Sequence, residues 1–126
     1  MAWNYEPFTV RSAAILTTSY VAGTVISNVA HNDQLMLYIS FTIGSLTSLQ
    51  LKIEFSYDGV TYYQETNGSG SGQTITQTLA EHTWAATGNY RIPVPIKDRY
   101  IKISAKGTGT VTNSSLTIIA LTAQQQ

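Results

Sequence analysis

The side chains able to do metal or acid–base chemistry are few and scattered. There are two histidines, His31 and His82. His31-Asn32-Asp33 offers a cation two donors and Glu81-His82 offers two more, but no His-x-His or Glu-x-x-His spacing holds ligands on one element. A polar turn before the apolar run at Leu35, and a loop around Glu81, account for both. Among seven carboxylates, Asp58 belongs to a turn and Glu54 to the solvent side of a strand. Glu6, Asp33, Glu65, Glu81 and Asp98 are left as material for an acid/base pair, and no spacing brings two of them together. Gly68-Ser69-Gly70-Ser71-Gly72 has no serine where a nucleophile elbow needs it and the wrong glycine spacing for a dinucleotide. The cysteine count is zero, which removes disulfides, thiolate catalysis and Cys-based zinc sites. The chain is therefore read as non-enzymatic, with no catalytic residue, no cofactor and no metal.

Aromatic and basic residues offer binding rather than reaction. Tyr62, Tyr63, Trp84 and Tyr90 have the types that make a flat platform for sugars; the alternative is that some fill the core and the rest cover loops. Trp3, Tyr5 and Phe8 stand ahead of the first expected core strand, where a free terminus is normally polar. Three rings there should be buried against this domain or a partner, so they are candidate partner-binding anchors. Arg91, Lys97, Arg99, Lys102 and Lys106 are five of seven basic residues. They could meet an acidic partner surface, or they are solvated lysines that protect a strand from edge pairing. Asn67-Gly-Ser69 and Asn113-Ser-Ser115 match the glycosylation acceptor pattern, as Ser-rich chains do by chance.

Composition narrows the classes further. The 126 residues are one domain's worth of chain. Only 11% are charged, against about 25% in ordinary globular proteins. With a net charge of zero, a basic footprint for nucleic acid is not expected. No apolar run is long enough for a membrane-spanning helix. Met1-Ala2-Trp3-Asn4-Tyr5-Glu6-Pro7 has no basic and no apolar region of a secretory signal.

These residues must be carried by strands. Leu49, Leu51, Ile53, Phe55 and Tyr57 alternate with polar positions, and so do Leu35, Leu37, Ile39, Phe41 and Ile43; each set should face a core. The second strand also carries Met36 and Tyr38, so its other face should be partly covered. Residues 99–106 and 115–123 repeat the alternation, and weaker strands are expected over 15–21, 24–29, 60–66, 73–79 and 90–94. Asp58-Gly59 between two alternating runs predicts a hairpin. Pro93 and Pro95 predict an edge strand. Residues 67–72 read as a flexible loop by composition, and residues 79–84 as one helical turn at most. The expectation is all-β: a single antiparallel β-sandwich of about eight strands, jelly-roll or Greek-key in type. It has an N-terminal arm at 1–14, the sandwich at 15–123 and a C-terminal tail at 124–126.

Three stretches carry a resemblance: Leu16-Thr17-Thr18-Ser19-Tyr20-Val21, the run from Ser48-Leu49-Gln50 to Val60-Thr61-Tyr62-Tyr63, and Tyr90-Arg91-Ile92-Pro93-Val94-Pro95 with Arg99-Tyr100-Ile101-Lys102-Ile103. The chain resembles the small β-sandwich virion structural proteins of tailed bacteriophages, which include capsid decoration (auxiliary) proteins and small tail proteins. The resemblance implies a virion component made in the bacterial host cytoplasm and no catalytic residues. Its partners would be the major capsid protein or other virion subunits, and Trp3, Tyr5 and Phe8 would be the anchors, on an arm dispensable for folding. Alternatives are a tail or neck protein, or a carbohydrate-binding module using Tyr62, Tyr63, Trp84 and Tyr90. Poorly charged sheet edges suggest a homo-oligomer, with a trimer favoured. No nucleic acid and no membrane are expected as partners.

Overall fold

A computed structural model describes residues 3–27, 34–64, 66–71, 74–79, 82–94 and 99–125. The expectations on His31, Asp33, Glu65, Glu81, Pro95, Lys97 and Asp98 lie outside the described residues. So do those on the side chains of Trp3, Tyr5 and Glu6, whose backbone is described.

The described chain is all strand and loop. In order, the strands are β1 (Trp3–Ala14), β2 (Val21–Ala22), β3 (Ile26–Ser27), β4 (Gln34–Thr42), β5 (Leu46–Ser56), β6 (Tyr63–Gln64), β7 (Thr66–Ser71), β8 (Thr74–Leu79), β9 (His82–Trp84), β10 (Gly88–Pro93), β11 (Tyr100–Gly109) and β12 (Ser115–Gln125). One sheet has the order β1-β12-β4-β10; the other runs β2-β11-β5-β6, with β3 also on β11 and β9 also on β5. All pairings are antiparallel. The alternation read from the sequence places the two sheets on one core. Leu35, Leu37, Ile39 and Phe41 from β4 meet Leu49, Leu51 and Phe55 from β5. Ile101, Ile103 and Ala105 from β11 and Leu116, Ile118 and Ala120 from β12 complete it. Burial of these side chains is the main stabilising term, on the order of 1.5–3 kcal/mol for each large one.

Several expectations change. The segment expected as an arm is a strand from Trp3 onward: β1 pairs with β12 from Trp3↔Gln125 to Ala14↔Leu116. Its Val10 is a core residue at 2% exposure, so β1 is a strand of the sandwich. The same pairing draws Gln124 and Gln125, read as tail, into β12. The register slips between Thr9 and Arg11 and again between Arg11 and Ala14. There the Arg11 guanidinium donates to the carbonyls of Leu116, Ala14 and Ile15, holding the irregular end of the strand. The weak strand expected over 15–21 is mostly loop, with Leu16 buried.

The glycine-rich stretch read as a flexible loop is half of a ribbon, since β7 pairs with β8 from Thr66↔Leu79 to Ser71↔Thr74. Composition misled here because a Thr-rich partner with strong strand propensity can supply the pairing that Gly and Ser do not encode. The expected helical turn is also a strand: Trp84 stands in register with Leu49, and His82 with Leu51. Tyr57, read as core-facing, is 67% exposed because β5 ends one residue earlier. The edge position of β10 is as expected from Pro93. The Asp-Gly hairpin is present with a wider loop, β6 returning along β5 at Glu54↔Gln64 and Phe55↔Tyr63.

Candidate interaction surfaces

Side chains alternate across a strand, so each sheet has an outward face opposite its core face. The two outward faces differ in chemistry. On the four-stranded sheet, the register links Pro7 to Leu121, Leu121 to Met36 and Met36 to Pro93. One row along, it links Thr9 to Ile119, Ile119 to Tyr38 and Tyr38 to Arg91. Leu121, Met36 and Ile119 are half-buried, while Pro7, Pro93 and Tyr38 are exposed. This is a band of apolar side chains across the whole width of a sheet, with Arg91 over the Tyr38 ring at 5.8 Å as its charged member among the described side chains. The partial cover expected over Met36 and Tyr38 is seen for Met36, which is half-buried, while Tyr38 is exposed.

The outward face of the other sheet is polar and cationic. β5 contributes Gln50, Lys52 and Glu54; β11 contributes Lys102, Ser104 and Lys106. Ser104 is directly opposite Lys52, and Lys102 opposite Glu54. The Glu54 carboxylate lies 3.7 Å from the Lys52 ammonium and 3.8 Å from that of Lys102. Tyr20 crosses this face from the loop before β2. The ammoniums of Lys52 and Lys106 stand 4.6 and 4.8 Å from its ring centroid. Lys102 stands 4.4 Å from the centroid of Tyr62. β11 is flanked on both sides, so its lysines do not guard an edge, and that explanation of Lys102 and Lys106 falls. Glu54 is on the solvent side of its strand as expected; Tyr20 and Lys52 were not singled out from the sequence for this face, and the even-position polar residues of the strongest strand were the available signal.

The four rings considered as one sugar platform fall into three places. Trp84 and Tyr90 stack, with centroids 5.2 Å apart and planes 20° apart, and His82 extends the column at 6.1 Å from Trp84. Tyr63 instead lies near Tyr57, 6.4 Å away at 16°. Tyr62 lies under Lys102 on the cationic face. Tyr63 is opposite Phe55 and Trp84 opposite Leu49, six residues along β5, or about 20 Å. The three anchor candidates are all on β1. Trp3 and Tyr5 are in register with Gln125 and Ala123, and Phe8 with the buried Ala120. Phe8 is 37% exposed.

The hairpin tip is tied by side-chain hydrogen bonds. Asp58 Oδ1 accepts from the Ser56 hydroxyl at 2.9 Å and from the amides of Val60 and Thr61 at 2.9 and 3.0 Å. Those backbone amides, with the Ser56 hydroxyl, hold the Asp58 carboxyl below the usual carboxylate range. Gly59 takes φ +79°, a left-handed conformation that glycine adopts without a Cβ penalty. Tyr57, Val60 and Tyr63 are exposed around this loop. Among the described residues, no group of three or more His, Cys, Asp or Glu is placed to hold a metal.

No protein-family model matches the sequence, and no curated protein matches it. Among solved structures, the SPBc2 prophage-derived protein YomS is similar in fold, with a TM-score of 0.55 at 16% identity, covering 98% of this chain and 96% of that one. A chain from the disulfide-linked pili formed by Bacillus endospore appendages has a TM-score of 0.51 at 12% identity, covering 96% of this chain and 85% of that one. At these identities the likeness is one of fold.

Proposed function

We propose that this chain is a non-enzymatic structural subunit of a phage-related particle, and within that class a capsid decoration protein. The observation that carries the reading is the apolar band Pro7, Leu121, Met36, Pro93, Ile119 and Tyr38 on the outward face of one sheet. Soluble monomers rarely present contiguous apolar faces, and a large one marks a contact surface. A subunit that binds only the assembled shell would stabilise it by mass action, and an apolar band across the whole sheet offers the contact surface. The fold shared with a prophage-derived protein and with an appendage pilus supports an assembly role. A disulfide-linked assembly is not open to this chain, which contains no cysteine. The way the chain passes between sheets ordered β1-β12-β4-β10 and β2-β11-β5-β6 supports reading the sandwich as a jelly roll.

The binding determinants move accordingly from a free arm to a sheet face. Trp3 and Tyr5 stay in the proposal because β1 borders that sheet. The proposed localisation is the particle surface, and the proposed oligomer is a closed trimer, to be checked by native mass spectrometry. The experiment is co-sedimentation with particles of the phage that encodes the chain. Wild type should pellet with them, and Ile119→Lys, which keeps the core intact, should stay in the supernatant. Equal pelleting of both would sink the reading. Within the virion class a tail or neck position is separated by which particle part, head or tail, the chain pellets with.

A further inference from the structure

The cationic face lies on the opposite side of the sandwich from the apolar band. We propose that this face binds an anionic polysaccharide, with Lys52, Lys102 and Lys106 as charge contacts and Tyr20 and Tyr62 as flanking rings. The inference rests on the proposed docking only for its orientation: a particle bound through one sheet leaves the other turned outward.

Among the described residues the charges on this face are unbalanced, although the chain is neutral as a whole. Three ammoniums share one carboxylate among the described residues, and Glu54 contacts Lys52 and Lys102 but not Lys106. Two of the ammoniums converge on the single ring of Tyr20. Like charges held together on a neutral ring repel, so an anion placed between them is stabilised by both. Lys102 and Lys106 are four positions apart on β11, about 13 Å, with Lys52 level with the point midway between them. The site is therefore a flat triangle of positive charge that suits an extended ligand with spaced anionic groups.

The chemistry of the face selects among polyanions. An extended peptide is held on a sheet by free edge amides, and both long strands here are flanked on each side. A folded protein partner needs a charge-depleted apolar centre, whereas this face carries three lysines and Glu54. A nucleic acid would meet three lysines, two of them already paired with Glu54, too small a footprint for phosphate-driven binding. A polysaccharide bearing carboxylate or sulfate groups needs spaced cations, polar surroundings and aromatic edges. Lys52, Lys102, Lys106, Gln50, Tyr20 and Tyr62 supply these.

The test uses the full chain in solution without particles, so its failure leaves the docking reading untouched. Polygalacturonate and heparin serve as carboxylated and sulfated probes, with dextran, polyglutamate and duplex DNA alongside. At low ionic strength binding to one or both anionic glycans is expected, falling as salt rises. Lys52→Gln/Lys106→Gln should weaken it about tenfold or more, and Arg91→Gln on the other face should leave it unchanged. A second variant, Lys102→Gln, which keeps the pair on Tyr20, should weaken it less. No binding to either glycan, stronger binding to DNA or polyglutamate, or equal binding by the double variant would each overturn the proposal.

Discussion

Pro7 and Pro93 stand on one row of the four-stranded sheet, at its two opposite edges, joined through Leu121 and Met36. Val94, next to Pro93, donates its amide to Leu35 on β4 at 3.0 Å. Amides alternate in direction along a strand, so the Pro93 nitrogen points to the open edge, where another residue would offer a donor. The β10 edge of the sheet that bears the apolar band is thus blunted against strand addition, and Pro7 places a second residue without an amide donor in the opposite edge strand.

Restoring those donors should change how the protein associates. Pro7→Val/Pro93→Val is expected to form higher oligomers or fibrous aggregates that wild type does not, seen by light scattering after gel filtration. An unchanged mass distribution would show that the prolines do not guard the edges.

The hairpin tip should depend on pH. The Asp58 carboxyl is held below its unfolded value. Its contribution is therefore present above the unfolded pKa, about 3.9, and is lost as pH falls through the lower folded value. Amide exchange at Val60 and Thr61 should rise at acid pH relative to core amides, and Asp58→Asn should raise it already at neutral pH. Flat protection of both amides through acid titration would contradict the geometry.

Ser114 is buried and joins two loops. Its hydroxyl donates to the Val111 carbonyl at 2.6 Å and accepts from the Leu16 amide at 3.1 Å. Ser114→Ala leaves a buried amide without its acceptor, and a loss of about 1–3 kcal/mol is expected in urea unfolding. A variant as stable as wild type would mean that the Leu16 amide finds another partner.

Gly44, with φ +56°, turns the chain from β4 into β5 against the backbone carbonyl of Asn113. An added Cβ would meet that carbonyl and strain the left-handed backbone together. Gly44→Ala should cost on the order of 1–3 kcal/mol; a neutral effect in thermal unfolding would show that the two turns can part.

The strands legible in the sequence were those whose burial is one-sided. In β4 and β5, Leu37, Ile39, Leu49 and Leu51 alternate with polar neighbours because one face meets the core and the other does not. β1 was missed because Trp3, Tyr5, Phe8 and Val10 do not keep a single parity, and the bulges at Arg11 break the period. β7 was missed because its pairing is a backbone property that Gly68 and Gly70 do not advertise. The apolar band was half visible, in Met36 and Tyr38. Its other half needed the register that sets Leu121 and Ile119 beside them. The cationic face was half visible too, in Lys102 and Lys106; Tyr20 is brought to Lys106 by the pairing of β2 with β11.

The central claim is that the outward face of the four-stranded sheet docks on a particle. The most direct measurement is particle binding by a paired set of single charge insertions, Ile119→Lys on the apolar band and Lys102→Glu on the opposite face, each first checked for an unchanged thermal midpoint. Ile119→Lys is expected to lower the bound fraction about tenfold or more, while Lys102→Glu leaves it as in wild type. Loss of binding with Lys102→Glu and full binding with Ile119→Lys would contradict the central claim.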